Sequence, residues 1–539
     1  MSNNRNIEEI RMQVMWNRLV SVVEEQALTL LRTAFSTSVR EAGDLSAGVY
    51  DAQGRMLAQA VTGTPGHVNT MAIAVQHFIN EIPREEMFEG DTYVTNDPWK
   101  GTGHLHDITV VSPSFKNDEL IGFFACTAHV VDIGGLGFGA DGKSVYEEGL
   151  QIPIMKFAER GVVNKDLIKV IRTNVREPDL VVGDFYSLAA CNDVGHNRLI
   201  SMLDEVGLDN LEKLGDFILT RTHTAMVERF ANLPKGSWGN EMLTDGFDEE
   251  IKLAASVTIS EDNVHVDFAG SAPMSRWGIN VPLIYSNAYA CYAIKCIVAP
   301  DIPNNAASLA MFTVSSPTNI LNAERPASVS LRHVLGHMVP DLVLGALDKA
   351  IPGKVPAESA AALWNLHISA KPLEGVQGKQ AEMLMFNSGG MGARPELDGL
   401  SATAFPSGVH TMPVEATEHA GPIVVWRKEL RPDSGGDGEF RGGLGQVIEI
   451  APADGHEFRF SAMFDRVATH PRGREGGEAG KSGTVELDDG SKLRAKGWQN
   501  VPAGRRLILN LPGGAGYGDP AKRNKASVEE DVKKGYITR

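Results

Sequence analysis

The chain has 539 residues, 42% of them hydrophobic and 22% charged, which suits a large folded core and excludes the low-hydrophobicity signature of disorder. Asp and Glu outnumber Lys and Arg by 68 to 51, for a net charge of −17, and no Lys/Arg block forms a phosphate-tracking stripe, so nucleic acid is not an expected partner. No run approaches the ~18 apolar residues of a membrane span, and MSNNRNIEEIRMQVMW carries acidic residues where a signal peptide needs a basic region and an apolar core; the expected setting is cytoplasmic, with no membrane partner.

From Ile7 to Ala34 apolar residues recur at threes and fours, which predicts a long amphipathic helix. SAGVYDAQGRMLAQ reads as a hairpin with a glycine in its turn. HVNTMAIAVQHFINEI predicts a second helix, starting just after Pro65-Gly66 and stopping before Pro83. Residues 91–135 alternate loop and strand: TYVTNDP, a Gly-rich turn, ITVVSPSF, the polar turn KNDE, LIGFFACTAHVV and DIGGLGFG. Helical patterns dominate from Lys165 to Arg229, and a boundary is expected near Lys235-Gly236.

Residues 250–272 read as a β-meander, followed by helices over NAYACYAIKCIV and VLGHMVPDLVLGALDKAI. After about residue 380 short strands alternate with glycine turns, and much of the excess of glycine, 56 residues in all, lies there. No fixed-period repeat suggests a solenoid or propeller. The expected architecture is α+β, mixed and multilayered, with a helix-rich N-terminal half and a β-rich, Gly-turn-rich C-terminal half. The expected regions are 1–235, 236–380 and 381–539.

Two H-x-x-D pairs stand at neighbouring strand ends, His104-Leu105-His106-Asp107 and His129-Val130-Val131-Asp132. Residues i and i+3 of a flat strand point to opposite faces, so a chelate from this spacing needs a turn, which Gly101, Gly103 and Gly134-Gly135 supply. Imidazole and carboxylate suit Zn²⁺, Mn²⁺ or Fe²⁺. The competing reading makes His106 and Asp107 turn caps and His129 a core histidine satisfied by backbone. His333 and His337 share a helical spacing but lack the Glu that follows the first His in a zincin helix, and read as packing residues.

Gly480-Lys481-Ser482 resembles the end of a phosphate loop, but Glu475 stands where its first Gly is required and a hairpin, not a helix, follows. GGMGAR and PGGAGYGD lack the strand and helix that flank a dinucleotide fingerprint, and read as turns that let backbone approach closely. No G-x-S-x-G elbow occurs, and the four cysteines, Cys126, Cys191, Cys291 and Cys296, read as reduced core thiols rather than nucleophiles or zinc ligands.

Taken together, SVREAGDLSAGVYDAQGRMLAQ, NDPWKGTGHLHDITVVSP, AHVVDIGG, NVREPDLVVGD, DFAGSAP with GIN, GGMGARPELDG, GGDGEFRGGLGQ and PGGAGYGDP resemble, in order from residue 38 to 520, the hydantoinase B/oxoprolinase family. That family includes B subunits of ATP-dependent N-methylhydantoinases and caprolactamase, the C-terminal half of 5-oxoprolinase, and subunits of acetone and acetophenone carboxylases. The resemblance implies an A-type partner that binds ATP and phosphorylates the substrate, and a B-type chain that holds a divalent metal where the activated cyclic amide is hydrolysed. It implies His104, Asp107 and His129 as metal ligands with Asp44 as a fourth. Asp132 becomes an outer carboxylate or a base, and His106, standing where the family often has Pro, a rival ligand or acid/base group. Trp99 stands where Tyr is common. The alternatives are a subunit of an ATP-dependent ketone carboxylase and a non-catalytic scaffold subunit.

Overall fold

A computed structural model of the chain describes residues 2–361 and 363–538. Its N-terminal part is built on one antiparallel sheet of seven strands: β1 (Leu45–Asp51), β2 (Met56–Gln59), β3 (Thr92–Thr95), β4 (Asp107–Lys116), β5 (Glu119–His129), β6 (Met155–Glu159) and β7 (Val162–Val163), in the order β2-β1-β5-β4-β3-β6-β7. Helix α1 (Ser2–Thr33) is followed by the short α2 (Thr37–Arg40), and α3 (Pro65–Glu81) starts at Pro65 itself, two residues before the expected start, because Thr64 caps it by accepting from the His67 N–H and Pro65 needs no partner in the first turn. Helices α4 (Lys165–Asn174), α5 (Pro178–Val206) and α6 (Glu212–Ala231) follow.

Helices α1 and α5 cover one face of the sheet, where Leu19, Val23, Phe124 and Phe185 are buried, and α3 covers the other, where Met71, Phe78, Tyr93 and Phe123 are buried. With helices on both faces, β4 and β5 are buried almost continuously instead of at alternate residues. The β4–β5 turn has Asn117 and Asp118 at φ +52° and +64°, the left-handed pair that a tight hairpin requires. That turn, with one irregularity at Ser114/Phe115, puts Asp107 directly opposite His129.

The second sheet runs β11-β10-β9-β8, from β8 (Gly236–Thr244), β9 (Ile251–Ile259), β10 (Val264–Asp267) and β11 (Phe312–Ser315), with β10 and β11 parallel. Between the last two lie α7 (Leu283–Val298) and α8 (Ala306–Leu309). The helix expected over residues 334–351 is two helices, α9 (Arg332–Gly336) and α10 (Val339–Ala350). Pro340 accounts for the break: its ring would meet the Gly336 carbonyl if one helix ran through.

The C-terminal part has two four-stranded antiparallel sheets. One runs β13-β12-β16-β18 and the other β14-β15-β19-β17, from β12 (Trp364–Pro372), β13 (Ala381–Asn387), β14 (Ile423–Leu430), β15 (Gln446–Pro452), β16 (His456–Met463), β17 (Thr484–Leu487), β18 (Lys496–Val501) and β19 (Leu507–Asn510). Trp364, Ile368, Phe460, Ile450 and Leu509 form the core between them. The architecture is therefore α+β. The glycine clusters pack on each other: Gly443 N–H donates to Met391 O, Gly514 N–H to Gly443 O and Gly436 N–H to Gly514 O. A Cβ on Gly390 would lie 1.9 Å from Gly443 O, and one on Gly514 2.0 Å from Met391 O, so these glycines serve backbone against backbone. Gly480-Lys481-Ser482 leads into β17, with no helix to cradle a phosphate. Among the described residues no helix is long and apolar enough to cross a membrane.

Candidate metal centre

The strand order β1-β5-β4 brings three chemistry-bearing residues to one end of the first sheet. Asp44 immediately precedes β1 and its carbonyl accepts from the His129 N–H at 3.2 Å; His129 ends β5; Asp107 opens β4 opposite it. His104 reaches the same point from the turn before β4, where Gly103 takes φ +98°. Ligand atoms of His104, Asp107 and His129 lie within 4.8 Å of one another, and all three side chains are buried.

Asp107 is the hub, and its two oxygens have different neighbours. Oδ2 accepts from Thr102 Oγ1 at 2.6 Å and from Arg332 Nη2 at 2.5 Å, and lies 2.9 Å from His67 Nε2. Oδ1 lies 2.8 Å from His104 Nε2 and 3.0 Å from His129 Nδ1. Burial works to raise the pKa of Asp107, but its polar neighbours, with the Arg332 guanidinium as the permanent charge among them, outweigh it and hold the carboxyl well below the usual carboxylate range. It is a carboxylate.

The His104 tautomer follows from its other nitrogen. Nδ1 lies 2.9 Å from Ser330 O, and a carbonyl only accepts, so Nδ1 carries the proton. Burial first, then the Arg332 charge, lowers the His104 pKa to about 3, so the ring is neutral and Nε2 presents a lone pair. With the proton on Nδ1, Nε2 has none to give Oδ1 of Asp107, which is only 2.8 Å away. Two lone-pair atoms facing each other at that distance in a buried site repel unless a proton or a metal cation bridges them. His129 Nε2 is buried and unpartnered. The donor set therefore fits a divalent cation with N and O ligands.

His106 lies beside this group rather than in it. Its ring stacks on His129 at 5.4 Å, both of its nitrogens are buried without a hydrogen-bond partner, and burial followed by the neighbouring His129 lowers its pKa well below the ordinary value. Asp44 lines the same small cavity, its Oδ1 3.7 Å from His67 Nδ1. Asp132 is engaged elsewhere: Oδ1 accepts from Arg176 Nη1 at 2.6 Å and from the Gly134 N–H at 3.1 Å, and Oδ2 accepts from the Arg176 N–H. The second H-x-x-D pair thus divides, His129 into the cluster and Asp132 out of it, as expected for residues three apart at a strand end with no turn between them.

Several groups reach this site from distant segments, and only the His333–His337 spacing among them gave a local signal in the sequence. His67 comes from the first turn of α3, and Arg332 and the two later histidines from α9 and its end. Arg332 also donates from Nε to Thr102 O at 3.0 Å, and its guanidinium stacks 3.9 Å above the Tyr285 ring. His333 and His337, read from sequence as packing residues, both line the cavity, each with an unpartnered buried Nδ1. Burial first, and the Arg332 charge among their neighbours, keeps both rings neutral, His337 at a pKa of about 3. Phe138 packs against His104, His106, His129 and His333, walling the cluster with apolar surface.

The loop that orients His104 is itself pinned by a buried carboxylate. Glu148 Oε1 accepts from Ser328 Oγ at 2.5 Å, the Val329 N–H at 2.5 Å and the Ser330 N–H at 2.9 Å. Glu148 Oε2 has no partner, and burial, opposed by those three bonds, raises its pKa to about 7.

The hydantoinase B/oxoprolinase family model matches residues 8–520. Caprolactamase subunit beta of Pseudomonas jessenii is 28% identical over 564 residues, spanning 99% of this chain and 94% of its own length. The crystal structure of the ATP-dependent caprolactamase from Pseudomonas jessenii matches with a TM-score of 0.89 at 26% identity, over 98% of this chain and 94% of that one. The nucleotide-free structure of acetone carboxylase matches with a TM-score of 0.88 at 18% identity, over 100% of this chain and 79% of that one, a likeness of fold.

Proposed function

The chain belongs to the hydantoinase B/oxoprolinase family, and on that premise we propose that it is the B-type subunit of an ATP-dependent hydrolase that opens a cyclic amide such as a hydantoin, 5-oxoproline or a lactam. His104, Asp107 and His129 hold a divalent cation, Zn²⁺, Mn²⁺ or Fe²⁺, with Asp44 as a fourth group across the cavity. The observation that carries the reading is the 2.8 Å approach of His104 Nε2 to Asp107 Oδ1 while the ring's proton is committed to Ser330 O, in a buried site with an unpartnered imidazole nitrogen on His129. When bound, such a cation lowers the pKa of water toward neutrality and polarises a carbonyl oxygen, both suited to ring opening.

The chain's own residues do the positioning. Ser330 O fixes the His104 tautomer, and Arg332 and Thr102 hold Asp107 Oδ2 so that Oδ1 faces the imidazoles. Phe138 and Tyr285 keep water from the ligand atoms. His106, with both nitrogens unpartnered, is the group available to carry a proton beside the ligand set, whereas Asp132, held by Arg176, is the outer carboxylate. ATP is bound by an A-type partner, in keeping with the phosphate loop that this sequence lacks, and the two chains work as a hetero-oligomer.

The test is to purify the chain with an A-type partner, measure bound metal, and assay ATP-dependent opening of hydantoin, 5-oxoproline and ε-caprolactam beside bicarbonate-dependent carboxylation of acetone and acetophenone. Ring opening that is lost together with the metal in Asp107→Ala and His129→Ala complexes is the expected result. Ketone carboxylation without ring opening would overturn the hydrolase reading, and a fully active, metal-free complex would overturn the metal centre.

A further inference from the structure

Two short segments separate the cavity beside His104 and His129 from a chamber of about 680 Å³. In one, Thr64 lines the cavity while Gly63 and Pro65 line the chamber; in the other, Ser407 and Val409 line the cavity while Gly408 and His410 line the chamber. Sides alternate along each segment, so the partition is one backbone thick. The segments abut: Gly408 takes φ +77°, and a Cβ there would lie 2.9 Å from the Gly63 carbonyl oxygen.

The two spaces suit different occupants. The inner cavity, about 20 Å³, takes a water or an ion and no organic ring. The chamber has the volume usual for a small-molecule site. Val68, Tyr292, Leu400 and Phe405 give it apolar walls, and Asn69 and Asn304 give it a polar edge. That edge is rigid, because Asn304 Nδ2 donates to Gln59 Oε1 at 2.7 Å and to Asn69 Oδ1 at 2.8 Å. Lys295, also on the lining, donates to the Ile302 carbonyl, and apolar walls with one fixed amide edge match a compact ring that carries an amide.

We infer that this chamber holds the organic reactant, a small cyclic amide on the function proposed above, and that residues 407–410 are the partition that stands between its carbonyl and the metal-side groups and has to part for the two to meet. The partition accounts for a cluster that is buried beside a cavity of only about 20 Å³ and yet stands next to an open chamber.

Cys296, on the last turn of α7, lines the chamber and is exposed, whereas Cys126, Cys191 and Cys291 are buried. It therefore reports occupancy without any assay of turnover. The complex with the A-type partner is treated with N-ethylmaleimide, and modification of the Cys296 peptide is followed by mass spectrometry, with and without hydantoin, 5-oxoproline or ε-caprolactam. Bound metal and ring opening are measured on the same samples. The expected result is that one ring slows modification about tenfold when present at about ten times its dissociation constant, and that turnover falls in step with modification while the metal stays bound. Failure of all three rings to slow modification overturns the inference. If one of them is nevertheless opened, the proposed function stands and only the chamber falls. Slowing by acetone or acetophenone and by no cyclic amide overturns the cyclic amide as occupant and counts against the hydrolase reading as well.

Discussion

Replacing Glu148 by Gln tests how the His104 loop is anchored, and the structure sets the size and sign of the effect. The carboxyl pKa is raised to about 7 from the ordinary glutamate value of 4.5, because burial outweighs three hydrogen bonds to Oε1 and leaves Oε2 without a partner. At about 1.4 kcal/mol per pH unit, holding the charge inside the fold costs about 3 kcal/mol. The folded state binds the proton more tightly than the unfolded state, so this group's contribution falls as pH rises between about 4.5 and 7 and reaches its full penalty above that window. A glutamine side chain at this position keeps an oxygen for Ser328, Val329 and Ser330 and carries no charge. Glu148→Gln should therefore gain only about 1 kcal/mol over wild type at pH 5 and about 3 kcal/mol at pH 8, read as the difference in urea-unfolding midpoints at the two pH values. Because Ser330 O still receives the His104 N–H, bound metal should not change. A stability difference between the two proteins that is the same at pH 5 and pH 8 would refute the reasoning, since it would mean that Glu148 titrates alike in both states.

Arg332→Met removes the charged partner of a buried carboxylate along with the stack on Tyr285, and should lower stability by about 3–5 kcal/mol in the same unfolding assay; Arg332→Lys, which cannot reach Thr102 O and Asp107 together, should recover only part of that loss. Asp132→Asn weakens the tie to Arg176 and should cost about 1–3 kcal/mol while bound metal, measured by elemental analysis, stays at the wild-type level; loss of the metal would return Asp132 to the site.

Most local elements were legible because their signals are local. The hairpin at 45–59, the strands on either side of KNDE and the stop of α3 before Pro83 each rest on a turn or a proline within a few residues. Half of the candidate site was legible for the same reason, and one clue went further than it was taken. Asn117-Asp118, as a tight left-handed turn, fixes the hairpin register and so places Asp107 opposite His129 with one irregularity between. The rest depends on tertiary packing. Thr64-Pro65 marks a helix start and puts His67 in the first turn, but nothing in the sequence says that α3 lies across the strand end where Asp107 sits. Arg332, His333 and His337 arrive from more than 200 residues downstream, and the break at Pro340 that turns the two histidines into the cavity looked like the interior of one helix. The glycine clusters pointed toward close approach without naming the neighbour, which proved to be other glycine backbone.

The arrangement around Asp107 explains why so many charged and polar groups gather on one buried carboxylate. A lone buried charge needs compensation, and one arginine would supply it. Arg332, Thr102 and His67 instead all gather on Oδ2, which leaves Oδ1 toward the lone pair of His104 with no donor from that ring to relieve it. For stability alone this division is a poor use of a carboxylate, because the second oxygen and an imidazole nitrogen stay mutually repulsive. It becomes favourable when a cation binds there: Oδ2 is then the rigid anchor that fixes the carboxylate plane, and Oδ1 and His104 Nε2 are the ligands that the anchor aims. The same logic extends outward, from Ser330 setting the His104 tautomer to Glu148 holding the Ser330 loop, so that each group facing the cluster is held by a neighbour facing away from it.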